Sequence, residues 1–379
     1  MSKPNFAPLK LFITGPTYIR RDVKEAALLP EFGHRDAEND LRFGPIRENL
    51  RKIAGCGDDY EPILCLGSGS SAMETSIRSL VAEDETLLNV SVGSFGDMYY
   101  NIAVSNGKKA ENLKFDYGMP IDLNVLEDKL KALRPQVVSF THNETSTGVI
   151  NDMKAVCSLI RQYGAMPLVD GVSIFGGATI ALSDSGAAMY STATQKSLAL
   201  PAGFGIGFVS GEAEEKAGRV TNKGHHHDIT KHLERARKNQ TLTTPNTTLA
   251  NMMWYQLDRI VNEEGIENRF ARHIEMRGMV EKWAAGLDGF EMFVAEGFRS
   301  PTVSTVVCPQ GVTSVQLKET VKEGMRDEGY LMDPGYMKLN HLLEEAGRRP
   351  IFRVGHMGDI MPDMLAAYLD ALEKELMKL

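Results

Sequence analysis

Lys196 is the residue of this chain whose setting best suits covalent chemistry. It lies in Thr194-Gln195-Lys196, and the following segment, Ser197–Gly203, is too broken by proline and glycine to form a helix. A lysine that attacks a carbonyl does so through its neutral amine, which requires burial or a nearby positive charge. Most lysines are solvated surface residues, so the prediction depends on the groups that surround this one.

An acid precedes this lysine at the end of an apolar run. Met166–Asp170 is typical of a buried strand, and Asp170 closes it. Open α/β sheets bind their ligands at the carboxyl ends of the strands, so the Asp170 side chain is expected to face a binding crevice. Lys196 is expected on a loop beside the same strand ends.

A phosphate-binding turn is predicted after another strand. The apolar run Glu61–Leu66 leads into Gly67–Ser71, and Ser71 with Glu74 fits a capping box that would start a helix reaching about Ala82. Glycines, unpaired amides at a helix terminus and serine hydroxyls suit a phosphate group. The alternatives are an ordinary strand-to-helix turn and a dinucleotide-binding loop, but the third glycine of that loop is missing.

Three further features are candidates for ligand contact, each with a structural alternative. Phe95 follows a predicted strand, Glu85–Val92, and could stack on a flat ring or pack as a core residue. Thr141–Gly148 places seven hydrogen-bonding side chains after the strand Gln136–Phe140, which favours a polar site. Arg353, on an apolar segment, needs either a bound anion or a carboxylate partner in a salt bridge.

Two polar segments are interpreted as solvent-exposed loops. Gly33–Asp36 precedes a helix predicted from about Asn39 to Ala54, and Gly224–Asp228 contains the consecutive histidines His225–His227. Adjacent histidines rarely supply the fixed geometry of a metal site, so no metal is predicted. The histidine segment is expected to be a mobile loop rather than the wall of a pocket.

The elements that must position these residues alternate along the chain. Strand and helix patterns alternate over Leu64–Val209, which predicts a mostly parallel, doubly wound sheet. Beyond Glu264, a long amphipathic helix, short strands and further helices predict a smaller α+β domain. We therefore predict a large domain over residues 14–260 and a small domain over residues 261–379 together with residues 1–13.

Composition narrows the class of protein. The 379 residues carry 42 Lys and Arg against 50 Asp and Glu, a net charge of -8, and no long basic run, which argues against nucleic acid as a partner. No apolar stretch approaches the length of a membrane span, so no membrane partner is predicted. Four cysteines without paired spacing indicate a reducing, cytoplasmic compartment.

Together these candidates describe one ligand. A phosphate turn, an aromatic plate, a buried acid and a Schiff-base lysine match pyridoxal 5′-phosphate, whose pyridinium nitrogen pairs with an acid. The sequence also resembles, over nearly its whole length, the class V aminotransferases of the fold-type I pyridoxal-phosphate enzymes. Within that family it is most similar to alanine/serine–glyoxylate and 2-aminoethylphosphonate–pyruvate aminotransferases. The motifs that carry the resemblance are Gly67–Ser70, Thr141–Gly148, Val169–Gly177 and Thr194–Lys196.

The resemblance implies an α/β fold, with a mostly parallel seven-stranded sheet in the large domain and a smaller α+β C-terminal domain. It implies Lys196 as the Schiff-base lysine and proton carrier, Asp170 as the partner of the pyridine nitrogen, and Phe95 as the residue stacked on the ring. It implies Thr145 as a partner of the phenolic oxygen and Arg353 as the clamp for the substrate α-carboxylate. The residues implied to hold the phosphate are Ser68, Gly69, Ser70, Gln195 and, from a second subunit, Thr243 or Thr244.

The implied function is amino transfer from alanine or serine to glyoxylate or pyruvate by a ping-pong mechanism, in an obligate homodimer with its active site at the interface. Thr194–Lys196 and Gly33–Arg35 resemble the glyoxylate enzymes. Phe175–Gly177 and Arg299–Pro301 also resemble the 2-aminoethylphosphonate–pyruvate enzymes, which are the alternative. Three rival hypotheses are a dehydrogenase, a desulfurase and a non-catalytic scaffold. A desulfurase would need a nucleophilic cysteine near the site, and a scaffold would be expected to lose the lysine or the acid.

Overall fold

The structure, a computed structural model, describes residues 8–379. The strands in this range are Lys10–Leu11 (β1), Tyr60–Gly67 (β2), Thr86–Ser91 (β3), Lys109–Lys114 (β4), Val137–Thr141 (β5), Asn143–Glu144 (β6), Val149–Ile150 (β7), Met166–Asp170 (β8), Met189–Ala193 (β9), Gly203–Ser210 (β10), Glu291–Met292 (β11), Val303–Val307 (β12), Tyr330–Leu331 (β13) and Ile351–Gly355 (β14). The α-helices are Arg21–Glu25 (α1), Asp40–Ala54 (α2), Gly69–Leu80 (α3), Ser94–Ser105 (α4), Leu123–Leu133 (α5), Met153–Gln162 (α6), Leu182–Ser185 (α7), Gly211–Arg219 (α8), Ile229–Ala236 (α9), Thr247–Asp258 (α10), Ile266–Ala285 (α11), Ser314–Gln316 (α12), Lys322–Asp327 (α13), Met337–Glu345 (α14) and Pro362–Leu376 (α15). The 3₁₀ turns are Ala26–Leu28 and Ala37–Asn39, and the π-helical turns are Arg259–Glu264 and Leu317–Val321.

A seven-stranded sheet in the order β2-β10-β9-β8-β5-β3-β4 forms the centre of the large part of the molecule. The neighbouring strands β4, β3, β5, β8 and β9 pair in parallel, and β10 runs antiparallel to both β9 and β2. Successive strand residues alternate between two hydrophobic clusters, as Leu87 and Leu88 do, because side chains of a strand point to opposite faces of the sheet. A sheet buried on both faces is the α/β architecture that the sequence predicted, and the fold class is confirmed.

Two strands of this sheet, β4 and β9, are absent from the sequence prediction. Strand β4 lies at the sheet edge, where its polar residues alternate between exposed and half-buried positions. Strand β9 is wholly buried although it contains Ser191 and Thr192. Neither strand shows the apolar run that marks the other strands, so their pairing partners decide their conformation.

The predicted capping box at the start of α3 is wrong. The helix begins at Gly69, and its N-cap is Ser68 in an extended conformation, three residues before the predicted N-cap Ser71. The Ser71 hydroxyl donates to the Leu66 carbonyl oxygen at 2.9 Å and so satisfies the end of β2. The helix terminus therefore lies directly at the end of the strand, and its first amides point beyond the sheet.

The C-terminal part of the chain builds its own core. Strands β11, β12 and β14 form an antiparallel sheet, and β1 pairs in parallel with β13. One hydrophobic cluster joins Phe12 to Met276, Val306 and Tyr368. On this basis we propose the division into residues 14–260 and 261–379, with residues 8–13 packed on the smaller part. Residues 1–7, also assigned to the small domain from the sequence, lie outside the described residues.

Within residues 8–379, no helix combines the length and the apolar character that a bilayer crossing requires.

Candidate active site

Lys196 lies in the loop that follows β9, where it faces the N-terminal segment and α4. Its Nζ donates a hydrogen bond to the Thr14 carbonyl oxygen and lies 5.9 Å from the centroid of the Phe95 ring. Burial, reinforced by the positive charge of Arg353, lowers the pKa of Lys196 to about 8. At neutral pH this lysine is therefore neutral far more often than a solvated lysine, which is the property that the sequence analysis required of it.

The loop that carries this lysine is fixed by a buried arginine from α11. The Arg269 side chain is 0% exposed and donates to the carbonyl oxygens of Ser197 at 2.6 Å and Gly176 at 2.9 Å. Its charge is balanced by Asp359 at 2.8 Å and Glu264 at 2.7 Å. Because a buried guanidinium with all these partners cannot move freely, the backbone beside Lys196 is tied to both parts of the molecule.

Asp170 closes β8 as predicted and is 4% exposed. Burial raises the pKa of its carboxyl to about 7, and the neighbouring Glu144 carboxyl adds to the shift. The Val172 amide donates to its Oδ1 at 2.9 Å and fixes its orientation. A carboxyl with a pKa near neutrality becomes fully ionised when a cation is brought against it, so this group can pair with a positively charged ring nitrogen.

The predicted phosphate turn lies between β2 and α3. The hydroxyl groups of Ser68 and Ser70 are 2.9 Å apart, and the first amides of α3 have no acceptor within the helix. A methyl group on Gly69 would lie 2.4 Å from Cγ2 of Val172, so this glycine allows the turn to pack against the loop after Asp170. The two segments that the sequence analysis selected separately are thus neighbours.

A cavity of about 480 Å³ opens beside this turn. Ser68 and Ser70 line it together with Thr243, whereas Thr244 lies with its hydroxyl 3.5 Å from Nε2 of His34. The prediction left Thr243 and Thr244 as alternatives for phosphate contact, and within one chain it is Thr243 that reaches the cavity wall.

Gln195, the remaining residue predicted to hold phosphate, precedes Lys196. Its side-chain Oε1 is buried and has no hydrogen-bond partner within residues 8–379. This oxygen is an acceptor, so the NH2 of the same amide is the group that would donate to a phosphate oxygen. The amine suits an aldehyde, the buried acid suits a ring nitrogen, and the aromatic ring suits a flat ring. The hydroxyl-lined helix terminus and this amide suit a phosphate. The residues present therefore fit pyridoxal 5′-phosphate.

The polar segment Thr141–Gly148 is entirely buried, and its acid holds the helix that carries Phe95. Glu144 accepts hydrogen bonds from the amides of Phe95 at 3.1 Å and Gly96 at 3.0 Å, in the first turn of α4. The amide and hydroxyl of Ser146 also donate to it, at 2.9 and 2.6 Å. A carboxylate at a helix N-terminus is stabilised by these donors, so Glu144 fixes the position of the Phe95 ring.

Arg353 has a carboxylate partner that the sequence did not identify. Its Nη2 lies 3.0 Å from Oδ2 of Asp333, and its Nη1 donates to the Thr145 carbonyl oxygen at 2.9 Å. Asp333 in turn accepts from the hydroxyl of Thr14 at 3.1 Å. The salt bridge considered as the alternative is therefore present. A contact with a substrate carboxylate stays a prediction, and Thr145 contributes its carbonyl oxygen here.

Both segments are largely solvent-exposed, as interpreted, but each also contacts other parts of the chain, and the histidine segment lines the cavity beside the phosphate turn, which was not expected. His226 and His227 line the cavity, and Nδ1 of His227 is 2.9 Å from the Thr75 hydroxyl. Arg35 donates hydrogen bonds to the segment at 240–242. Nothing in the local sequence marks these contacts, because the partners are distant along the chain. Within residues 8–379, no group of three or more His, Cys, Asp or Glu side chains is arranged to hold a metal ion.

Sequence reasoning missed Asp333, Glu144 and Thr14 as individual residues. Glu144 carried a signal, since a charged residue in the segment that follows a buried strand is expected to have a specific partner. Asp333 carried none, because Asp333-Pro334-Gly335 is typical of an ordinary turn. Thr14 contacts the site through its carbonyl oxygen and hydroxyl, which only the fold brings to Lys196 and Asp333.

Known proteins provide an independent comparison. The family profile described as Aminotransferase class-V matches residues 27–325. An uncharacterized aminotransferase of Methanocaldococcus jannaschii is 32% identical over 97% of this chain and 93% of its own length. A 2-aminoethylphosphonate–pyruvate transaminase of Phocaeicola vulgatus is 24% identical over 97% of this chain and 98% of its own.

Solved structures share the fold along the whole chain. The alanine–glyoxylate aminotransferase of Nostoc sp. superposes with a TM-score of 0.89 at 24% identity, covering 99% of this chain and 97% of that one. The pyridoxamine–pyruvate aminotransferase of Mesorhizobium loti superposes with a TM-score of 0.86 at 25% identity, covering 100% and 94%.

Proposed function

The chain belongs to the class V aminotransferase family, and from that premise we propose that it transfers an amino group from alanine or serine to glyoxylate or pyruvate with pyridoxal 5′-phosphate as cofactor. The observation that carries the proposal is the setting of Lys196, whose amine has a pKa lowered to about 8 and faces Phe95. A dehydrogenase or an inactive scaffold has no use for such an amine.

The residues of this chain are assigned to the cofactor as follows. Bound pyridoxal 5′-phosphate supplies an aldehyde and a ring that accepts electrons. Lys196 would bond to the aldehyde carbon with release of water, Asp170 would pair with the ring nitrogen, Phe95 would pack on the ring, and Thr145 would contact the phenolic oxygen. The residues assigned to the phosphate are Ser68, Gly69, Ser70, Gln195 and Thr243 or Thr244.

Proton movement is assigned to Lys196. A general base is most effective when its pKa lies near the working pH, and the value of about 8 meets that condition. Asp170 remains ionised against the cationic nitrogen, because its own pKa of about 7 falls further when a positive charge is adjacent. Lys196 would thus move the proton, and Asp170 would keep the ring nitrogen protonated.

Arg353 is assigned to the carboxylate that donor and acceptor share. A guanidinium has five N–H groups; Nε and Nη2 face the Asp333 carboxylate, and one N–H of Nη1 donates to the Thr145 carbonyl oxygen. The second N–H of Nη1 has no such partner and would donate to a substrate carboxylate. Because both substrates would use this one group, they would bind in turn, which is the basis of a ping-pong mechanism.

We also propose a homodimer in the cytoplasm, with the phosphate contact of Thr243 or Thr244 made across the interface. Large apolar side chains near the start of the chain support an interface, since Leu28 is 86% and Leu41 is 63% exposed. The four unpaired cysteine thiols support a reducing compartment.

The alternative donor is 2-aminoethylphosphonate. Its support is the similarity to transaminases of that name, including one from Syntrophobacter fumaroxidans that is 26% identical over 97% of this chain. The identity of the amino donor therefore has to be tested.

A half-reaction screen tests the proposal. Purified protein loaded with pyridoxal 5′-phosphate is mixed with alanine, serine, aspartate or 2-aminoethylphosphonate, and the visible absorbance of the cofactor is followed. Rapid loss of the original band with alanine or serine alone is expected. A response to 2-aminoethylphosphonate alone would establish the alternative, and no response to any donor would refute the substrate assignment. Lys196→Ala is the control that should not respond.

A further inference from the structure

The side chain of Arg35 joins the start of the chain to a loop some two hundred residues away. Its Nη1 donates to Oε1 of Gln240 at 2.8 Å and to the carbonyl oxygen of Thr241 at 2.9 Å. Its Nη2 donates to the carbonyl oxygen of Leu242 at 3.2 Å. A planar guanidinium can bind two successive carbonyl groups at once, which an ammonium group does less well.

The residues held in this way adjoin the cavity beside the phosphate turn. Leu242 and Thr243 line that cavity together with Ser68 and Ser70. The Thr241 hydroxyl donates to the Thr243 carbonyl oxygen at 2.7 Å, so a residue that Arg35 holds is bonded to Thr243. The position of Thr243 therefore depends on the carbonyl groups that Arg35 holds.

Other contacts fix the start of the same loop and leave its tip to Arg35. The Asn39 amide donates to the Asn239 carbonyl oxygen, and Nη1 of Arg47 donates to Oδ1 of Asn239 at 2.7 Å. Beyond Asn239, the side-chain contacts that residues 8–379 make to the Gln240 side chain and to the carbonyl oxygens of Thr241 and Leu242 come from Arg35, with an additional 3.3 Å bond from Arg235 to Gln240. These anchors keep the base of the loop in place when Arg35 is changed.

We propose that Arg35 is a positioning residue for cofactor binding: it holds the segment 240–242 so that Thr243 stands where it reaches the phosphate bound by the second subunit. This inference rests on the proposed function, because it takes the ligand to be the phosphate of pyridoxal 5′-phosphate and the contact to cross the dimer interface. Arg35 itself touches the loop and acts on the cofactor through it.

Three variants of the full-length protein test the inference. Arg35→Ala removes all three hydrogen bonds, and Arg35→Lys keeps a cation that can reach one acceptor. Arg21→Ala is the matched control, because Arg21 is an exposed arginine whose ion pair is with Glu25 on its own helix. For each variant the apo-protein is prepared, and its dissociation constant for pyridoxal 5′-phosphate is measured by the absorbance change on binding. Hydrogen exchange of the backbone amides 240–244 is measured on the same apo-protein.

Arg35→Ala is expected to weaken cofactor binding by about tenfold, the effect of losing about one net hydrogen bond to a charged group. Arg35→Lys is expected to recover part of this loss, and Arg21→Ala to bind as wild type does. Exchange should accelerate at 240–244 in Arg35→Ala and remain unchanged in the central sheet.

The possible contrary results are distinguishable. Equal dissociation constants for wild type and Arg35→Ala would overturn this inference alone. Faster exchange throughout Arg35→Ala, or weaker binding in Arg21→Ala as well, would show general destabilisation and also overturn it. A wild-type protein that binds no pyridoxal 5′-phosphate would overturn the proposed function, and this inference with it.

Discussion

Gly15→Ala is the substitution with the sharpest consequence for Lys196. Gly15 has a φ of +118°, in the region that residues with a side chain rarely adopt. A methyl group there would lie 2.6 Å from Nζ, 2.7 Å from Cδ and 2.9 Å from Cε of Lys196. The end of the lysine must therefore move, and it leaves the Thr14 carbonyl oxygen that it now binds.

These distances give the displacement of the Lys196 amine and, from it, the expected loss in the rate of cofactor capture. An ordinary contact needs 3.4 Å, and 3.4 minus 2.6 gives a displacement of Nζ of about 0.8 Å. Misplacement of a reacting group by about 1 Å can cost up to about a hundredfold in rate, so we expect cofactor capture to slow by about tenfold to a hundredfold. The backbone strain adds a loss of stability of about 1–3 kcal/mol, which lowers Tm by a few degrees.

The assay measures the lysine directly. Protein is incubated with pyridoxal 5′-phosphate, the bond to lysine is reduced with borohydride at intervals, and mass spectrometry gives the fraction modified at Lys196. Gly218→Ala is the control, because a methyl group at this position in α8 meets no atom within 4 Å. If Lys196 of the Gly15→Ala variant is modified as fast as Lys196 of wild type and of the control, the reasoning that Lys196 needs the space beside Gly15 is refuted.

Two further predictions concern the charges of the site. The rate of cofactor capture by the apo-protein should rise with pH up to about 8 and then level off, because the neutral amine of Lys196 reacts and its pKa is lowered to about 8. A rate that still rises as the pH approaches 10.5, the pKa of an ordinary lysine, would contradict the lowering of the Lys196 pKa by burial. Asp333→Asn should lower the free energy of unfolding by about 3–5 kcal/mol, because it leaves the buried charge of Arg353 without its counter-charge. Thermal denaturation measures this loss, with Asp128→Asn on the surface as control, and equal Tm values for the two variants would show that Arg353 does not depend on Asp333.

The main chemical groups of the site were predictable from the sequence because they follow local patterns. Each group lies in a short segment whose own residues favour its conformation. These segments are the apolar run closed by Asp170, the glycine- and serine-rich turn after β2, and the broken segment that carries the lysine. The structure places these residues at one end of the sheet, as parallel strand ends require. Their roles in binding the cofactor stay predictions.

Where local patterns competed, the sequence was less informative. Ser71 and Glu74 satisfied the capping-box pattern, yet α3 begins at Gly69 because Ser71 bonds to the end of β2 instead. The edge strand β4 lacks an apolar run and takes its conformation from β3. In both cases a hydrogen bond to a neighbouring element outweighed the preference of the segment itself.

The sequence by itself determined the fold class and the family, which are carried by patterns repeated along the chain, and the lysine, acid and phosphate turn, each of which is encoded by the order of residues within one short segment. Only the tertiary structure decided that Asp333 balances Arg353, that Glu144 holds the helix of Phe95, and that Arg35 holds the loop of Thr243. Each of these contacts joins residues from different segments. Whether their side chains meet depends on how the whole chain packs, because hydrogen bonds and ion pairs act only over a few ångströms.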